Sequence, residues 1–389
     1  MASKYALLFK TASAEFRAWE NLASSEKQKI LPILELTRGR RSPKLSRDYK
    51  DQGVWPTIEG LYNFAGNLKK CREAFVDCDE VVLDLTREES LSCAEITRLS
   101  SPDNGYENWI SFLKEEKSFY GDTRIIPTIL VNPTGSETPE QYKNDIISQF
   151  SALSENFNAL AYRAAVLVDS NFLYDLILLK DYANSFIKAG NRFIIELDHE
   201  YIRPGSGATH ALRSSGIAQK IQGMIPDAEI IIFATSFPKT VDELGDPEHD
   251  TFSMEEVSLF ENIQKNQANK DRVIYGDYGS INPLRFDMVA QGWRPRIDFP
   301  TSKQKIFYYR EKRTVDSTKV KSSYKSHYIS VAKKVKGDNY FEDIPNSWGV
   351  SEIIKAAEGD PSGKAPNFWI SVRMEIYILQ QLKRLGLSS

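Results

Sequence analysis

Short apolar runs in this chain stop at, or just short of, residues that can carry charge, move a proton or hold an anion: Lys10, Glu35, Asp84, Asn132, Arg163, Glu196 with Asp198, Ser236 and Asp277. Runs of this kind read as buried parallel strands, and barrels of such strands keep their chemistry at the strand ends. Carboxylates gathered at one cavity cannot all stay ionised without a cation or neighbouring bases. Glu35, Asp84, Asp198 and Asp277 are therefore the candidate catalytic acids, with Asp84, Asp198 and Asp277 as ligands for Mg²⁺ or Mn²⁺. Lys10, Arg163, Ser236 and Tyr275 are the candidate substrate-binding groups. The same residue types also do structural work, since an acid at a strand end can cap the next helix or pair with Lys10, Arg38 or Arg163. Glu196 and Asp198 are two residues apart and face the same way, whereas Leu197 faces the other.

These residues need strands to bring them together. Candidate strands cover residues 5–9, 30–36, 80–85, 125–131, 159–168, 192–198 and 229–234, and an eighth starts at Val273 within DRVIYGDYGSINP, residues 271–283. Helical patterns fall between them. Phe16, Trp19 and Leu22 share one face; Thr57 is placed to cap a helix carrying Ile58, Leu61, Tyr62, Ala65 and Leu68; Pro139 suits a first turn. Residues 106–117, 171–187, 211–224 and 253–263 read as further helices, the last with Ser253 and Glu256 at capping-box spacing. Eight strand-and-helix units over about 280 residues predict a (β/α)8, TIM-barrel-like α/β domain at residues 1–290. The rival, an open doubly wound sheet, rarely uses eight such regular units. Residues 291–389 predict a C-terminal α+β extension: a hairpin at 294–300 and 305–310, a helix at 324–335, and a terminal helix with Trp369, Val372, Ile376 and Leu379 on one face.

Residues 303–336 hold eleven Lys and Arg against Glu311 and Asp316, interleaved with Phe307, Tyr308, Tyr309, Tyr324 and Tyr328. Bases among aromatics suit phosphate contact and base stacking, which makes Tyr309 a further substrate-binding candidate and a nucleotide or nucleic acid a candidate partner. A solvated loop beside a hairpin is the commoner origin of such a pattern. The whole chain, at 389 residues, 26% charged and with a net charge of −3, shows no general attraction to polyanions or membranes. Cys71, Cys78 and Cys93 read as free thiols, and their spacing matches no common zinc pattern. His199, His210, His249 and His327 show no metal-binding spacing, although His199 stands just after a strand, where a proton donor could sit. No phosphate-loop or nucleophile-elbow motif is present. The apolar run before Lys10 is too short for a signal peptide and no run approaches the roughly 20 residues of a membrane span, so a cytoplasmic protein is expected.

The opening strand with Lys10 and Ser13-Ala14-Glu15-Phe16, then KILPILEL, ATSFP at 234–238, VIYGDYGSINP and NFW at 367–369 together resemble the phage beta protein family, also seen in bacterial genomes. The resemblance runs from Tyr5 to about Leu385, and YGDYG with its following proline is its most specific part. It departs in the last helix, where a histidine is expected and Arg373 and Tyr377 stand. The resemblance implies a phage- or mobile-element-associated protein acting in phage–host conflict, with a protein of the same element as a candidate partner. It draws attention to Lys10, Asp277 and Trp369 and carries no catalytic assignment.

The leading expectation is a metal- or carboxylate-dependent hydrolase of a phosphate-containing substrate. The alternative is a non-catalytic barrel scaffold that binds protein or nucleic acid through its C-terminal hairpin and basic segment. A two-carboxylate glycosidase is a third reading, weakened by the scarcity of aromatics at the strand ends.

Overall fold

The computed structural model describes residues 5–41, 61–132, 137–240, 243, 245, 247–284, 293–313, 322–341 and 346–387. Eleven strands among these are β1 (Tyr5–Phe9), β2 (Ile30–Leu36), β3 (Glu80–Leu85), β4 (Arg124–Ile129), β5 (Ala159–Ala165), β6 (Arg192–Tyr201), β7 (Glu229–Thr235), β8 (His249–Ser253), β9 (Val273–Asp277), β10 (Arg296–Pro300) and β11 (Lys305–Arg310). The helices are α1 (Ser13–Glu20), α2 (Ser24–Lys27), α3 (Phe64–Phe75), α4 (Ala94–Leu99), α5 (Asp103–Glu116), α6 (Pro139–Ser154), α7 (Phe172–Lys188), α8 (Gly207–Met224), α9 (Glu255–Lys265), α10 (Tyr324–Lys336), α11 (Trp348–Ala357) and α12 (Pro366–Arg384). Strands β1 to β7 and β9 form a closed parallel barrel in that order. Pairing of Ala6 with Gly276 and Leu7 with Asp277 shuts it. The expected TIM-barrel-like fold is therefore present.

Strand alternation divides the barrel interior into layers. At the amino-terminal end, Arg192 pairs with Glu80 and Glu229, and Arg124 pairs with Glu80. Above this lies an apolar layer that includes Leu31, Ile33, Val82, Ile126, Ala161, Ile194 and Ile231. The carboxyl-terminal layer is polar. Next to it Gly276 has no room for a side chain, because a Cβ there would lie 2.6 Å from the Phe233 ring. The outward-facing residues, among them Tyr5, Leu7, Leu34, Leu83 and Tyr275, pack under the helices.

Two local expectations give way. Leu61 and Tyr62 precede α3, which starts at Phe64 behind the Asn63 cap, while Thr57 and Ile58 lie outside the described residues. Ser253 closes β8, paired with Lys305, and does not cap α9, because the helix starts at Glu255 and Met254 holds the cap position. Thr138 and Pro139 do start α6 as a capping box with proline in the first turn.

Strand β8, which lies between β7 and α9 in the chain, pairs with β11, so the expected hairpin of β10 and β11 is part of a three-stranded antiparallel sheet. Its Ile297 and Phe299 pack with Tyr328, Val331, Ile353 and Trp369 in a second apolar cluster. Helix α12 serves both units. Met374, Tyr377, Ile378 and Leu382 join the barrel core, while Trp369, Val372 and Ile376 join the second cluster.

Candidate functional site

At the carboxyl-terminal mouth the structure brings together Lys10, Glu35, Asp84, Arg163 and Asp198. Strand register puts Glu35 beside Asp84 and Arg163 beside Glu196. Arg163 is the hub: its Nη1 lies 2.8 Å from Glu35 and 2.7 Å from Asp84, and its Nε lies 3.0 Å from Asp198. Lys10 Nζ reaches Glu35 Oε1 at 2.7 Å, and the Tyr278 hydroxyl donates to Asp198. Burial opposes ionisation of Glu35, but Lys10 and Arg163 outweigh it and hold the carboxyl down to about 2. Glu196 is different. Both its oxygens are buried without a hydrogen-bond partner among the described residues, and burial, reinforced by Asp84, pushes it up to about 8. None of these residues is more than 4% exposed, so the arrangement gives solvent almost no access.

Asp277 is not in this group. Along β9, Gly276 points into the barrel and Asp277 points out, towards the helices. Its Oδ1 accepts from the Tyr5 hydroxyl at 2.6 Å and from the Gly279 amide at 2.7 Å. Burial raises its carboxyl to about 7. Tyr275 and Ser236 belong to the same outer wall. The Tyr275 and Tyr377 hydroxyls lie 3.2 Å apart, Tyr377 donates to Glu256, and Ser236 bonds the other Glu256 oxygen. These are contacts between barrel wall and helix. His199 also faces outwards, bonded to backbone oxygens and Ser214, and burial holds its imidazole down to about 4. Asn132 bonds the backbone of Ser100. Tyr309 lies on the second sheet, stacked on His249 and bonded to Asp338.

Of the three carboxylates expected to share an Mg²⁺ or Mn²⁺ ion, Asp84 and Asp198 are bridged by Arg163, and Asp277 faces the other side of the barrel wall. Among the described residues, no group of three or more His, Cys, Asp or Glu side chains is arranged to hold a metal. Cys71, Cys78 and Cys93 are buried and form no disulfide. No helix of the described residues is long and apolar enough to cross a membrane.

The more open site lies between the loop after β7, the second sheet and α12. It is a cleft of about 490 Å³ whose lining includes Lys239, Arg294, Arg296, Arg310 and Arg373, with Asp298 as the one acid among its lining residues. Phe237, Trp293, Tyr328 and Trp369 supply aromatic walls. Asp298 is shared, lying 2.8 Å from both Arg296 and Arg373. Arg373 also bonds Ser280 and lies 3.7 Å above the centre of the Phe237 ring. Burial lowers Arg373 to about 10, against the pull of Asp298. Two arginines on one carboxylate leave net positive charge where water is scarce, which favours a bound anion.

The sequence reading passed over most of this cleft, although two signals were available. In WRPRID the period of two puts Arg294, Arg296 and Asp298 on one face, opposite Ile297. In NFWISVR, Trp369 and Arg373 are four apart and share a helical face.

Comparison with known proteins bears on identity. A curated relative, Protein beta of Enterobacteria phage P4, is 29% identical over 378 residues, covering 96% of this chain and 91% of that protein. A solved structure, described as the C-terminal domain of a chitinase candidate from Desulfitobacterium hafniense DCB-2, aligns over 98% of this chain and 99% of that one at 9% identity. Its TM-score is 0.31, too low to support any argument. The profile of the Beta protein family matches residues 5–383, and the chain therefore belongs to that family, as the YGDYG motif and its companions led one to expect.

Proposed function

We propose that this protein recognises an anionic ligand at the cleft between its second sheet and α12, with the barrel as scaffold. One observation carries the reading: among the described residues, five basic side chains, four aromatic rings and one acid, Asp298, line a half-open cavity. Ligand sites are concave, largely apolar and furnished with a few placed polar groups, and this cleft has that form. It also uses the C-terminal hairpin, since Arg296, Asp298 and Arg310 come from β10 and β11. Membership of a family with a phage relative supports a role in a mobile element, with phage–host conflict as the setting.

The test is calorimetric titration of the full chain with inorganic tripolyphosphate at low and raised salt. Binding is expected to weaken steeply with salt, as ion-pair formation requires. The double variant Lys239→Ala, Arg294→Ala is expected to weaken it by about tenfold or more, the size of one or two charged hydrogen bonds. Undetectable binding, or a double variant indistinguishable from the parent, overturns the reading.

A second reading keeps the barrel mouth as a hydrolytic centre for a phosphate-containing substrate. Glu196 favours it, because a carboxyl protonated at neutral pH beside Arg163 is equipped to act as a general acid. That reading, with or without Mg²⁺ or Mn²⁺, requires Arg163 to release carboxylates it now holds. Phosphodiesterase turnover that disappears in Glu196→Gln, with folding intact, would support it; turnover unchanged in that variant would exclude Glu196.

A further inference from the structure

An anion by itself uses only the cationic part of the cleft, and the aromatic part is equally developed. Trp293 stacks on Tyr324 with ring centroids 4.0 Å apart and planes 10° apart; Trp369 stacks on Tyr328 at 5.2 Å and 20°. Both tryptophans line the cavity. The indole Nε1 of Trp369 is buried and has no hydrogen-bond partner among the described residues. Arg373, with its guanidinium carbon 3.7 Å from the centre of the Phe237 ring, adds a cation to the same wall.

We infer that the ligand of this cleft is a nucleoside phosphate: a base against the half-buried Trp293 ring and phosphate on the arginine side. This rests on the anion-recognition reading above and narrows it. Bases stack on any exposed aromatic face, guanidinium groups pair with phosphate through two parallel hydrogen bonds, and a volume of about 490 Å³ accommodates a mononucleotide. An acidic peptide would meet the arginines but would leave the aromatic wall without a planar partner. The ligand chemistry is the same for a free nucleotide and for the end of a single strand.

The experiment compares ATP, tripolyphosphate, adenosine, a short 5′-phosphorylated oligonucleotide and an oligoglutamate peptide on the full chain at one low ionic strength. ATP is expected to bind about tenfold more tightly than tripolyphosphate, the contribution of one stacked base, with quenching of tryptophan fluorescence. Adenosine is expected to bind far more weakly than ATP. Tighter binding of ATP assigns the free nucleotide, and tighter binding of the oligonucleotide assigns the strand end; both support the inference. Trp293→Leu is expected to weaken ATP by about tenfold more than it weakens tripolyphosphate, and Trp293→Tyr to restore most of the advantage of ATP. Equal affinity for ATP and tripolyphosphate, oligoglutamate matching ATP, or Trp293→Leu weakening both phosphates alike overturns the nucleoside assignment and leaves anion recognition standing. Failure of both ATP and tripolyphosphate to bind overturns the two together.

Discussion

Arg163 shows how the surroundings of a residue decide its role. Three carboxylates converge on one guanidinium at 2.7 to 3.0 Å in the closed mouth of a barrel. Taking such charges out of water is costly, and the network persists because each charge is compensated there. Replacing Arg163 with Met should therefore destabilise the fold by about 3–5 kcal/mol, the cost of leaving buried acids uncompensated. Lys10→Met should cost less, because Glu35 keeps Arg163 as a partner. Urea unfolding followed by circular dichroism measures both. Equal midpoints for the parent and the Arg163 variant would mean that the network adds nothing to stability, and would return these carboxylates to the list of functional groups.

Among the elements, β9 and α12 do most to organise the chain. Strand β9 closes the barrel with only five residues, and its alternation sends Gly276 in and Asp277 out. Gly276→Ala should overpack the interior against Phe233 and Ile231 and cost about 1–3 kcal/mol, read as a lowered thermal midpoint. A parent-like midpoint would show that the Phe233 ring can give way. Helix α12 packs against both α1 and β10, which explains what stands where the resemblance leads one to expect a histidine. Tyr377 reaches down to Glu256 under the barrel wall, and Arg373 reaches across to Asp298 in the cleft. One helix thus joins the fold and the candidate site through neighbouring turns.

Over the whole molecule, buried acids set the response to pH. Burial raises Asp277 to about 7 and Glu196 to about 8, and it also raises Glu256. In the native state these groups keep protons that an unfolded chain releases near pH 4. Between about pH 4 and pH 8 the folded form binds more protons than the unfolded one, so stability should fall as pH rises, by at most about 1.4 kcal/mol per pH unit for each group. Glu35 works in the opposite sense, contributing stability above about pH 4 that is lost as pH falls towards 2. The thermal midpoint should drop between pH 6 and 8.5, and Asp277→Asn with Glu196→Gln should flatten that slope. A slope of the same steepness in the double variant would mean that these two carboxyls are ionised in the folded protein.

The sequence by itself determined the barrel, because eight apolar runs of strand length alternating with helical patterns leave few other ways to bury their faces. It also determined the family, through YGDYG and its companions, and a set of strand-end groups of which Lys10, Glu35, Asp84, Arg163 and Asp198 gather at one mouth while Asn132, Ser236 and Asp277 do not. Only the tertiary structure decided what those groups do. Charge compensation depends on distances of a few ångströms between strands far apart in the chain, and no local pattern shows that Arg163 reaches three carboxylates. The direction of Asp277 could in principle be read from strand period, but its register against Leu7 and its hydrogen bond from Tyr5 could not. The cleft was the least legible feature. Its residues come from the loop after β7, the second sheet, α10 and α12, and their shared charge becomes visible only once α12 has folded back against the sheet.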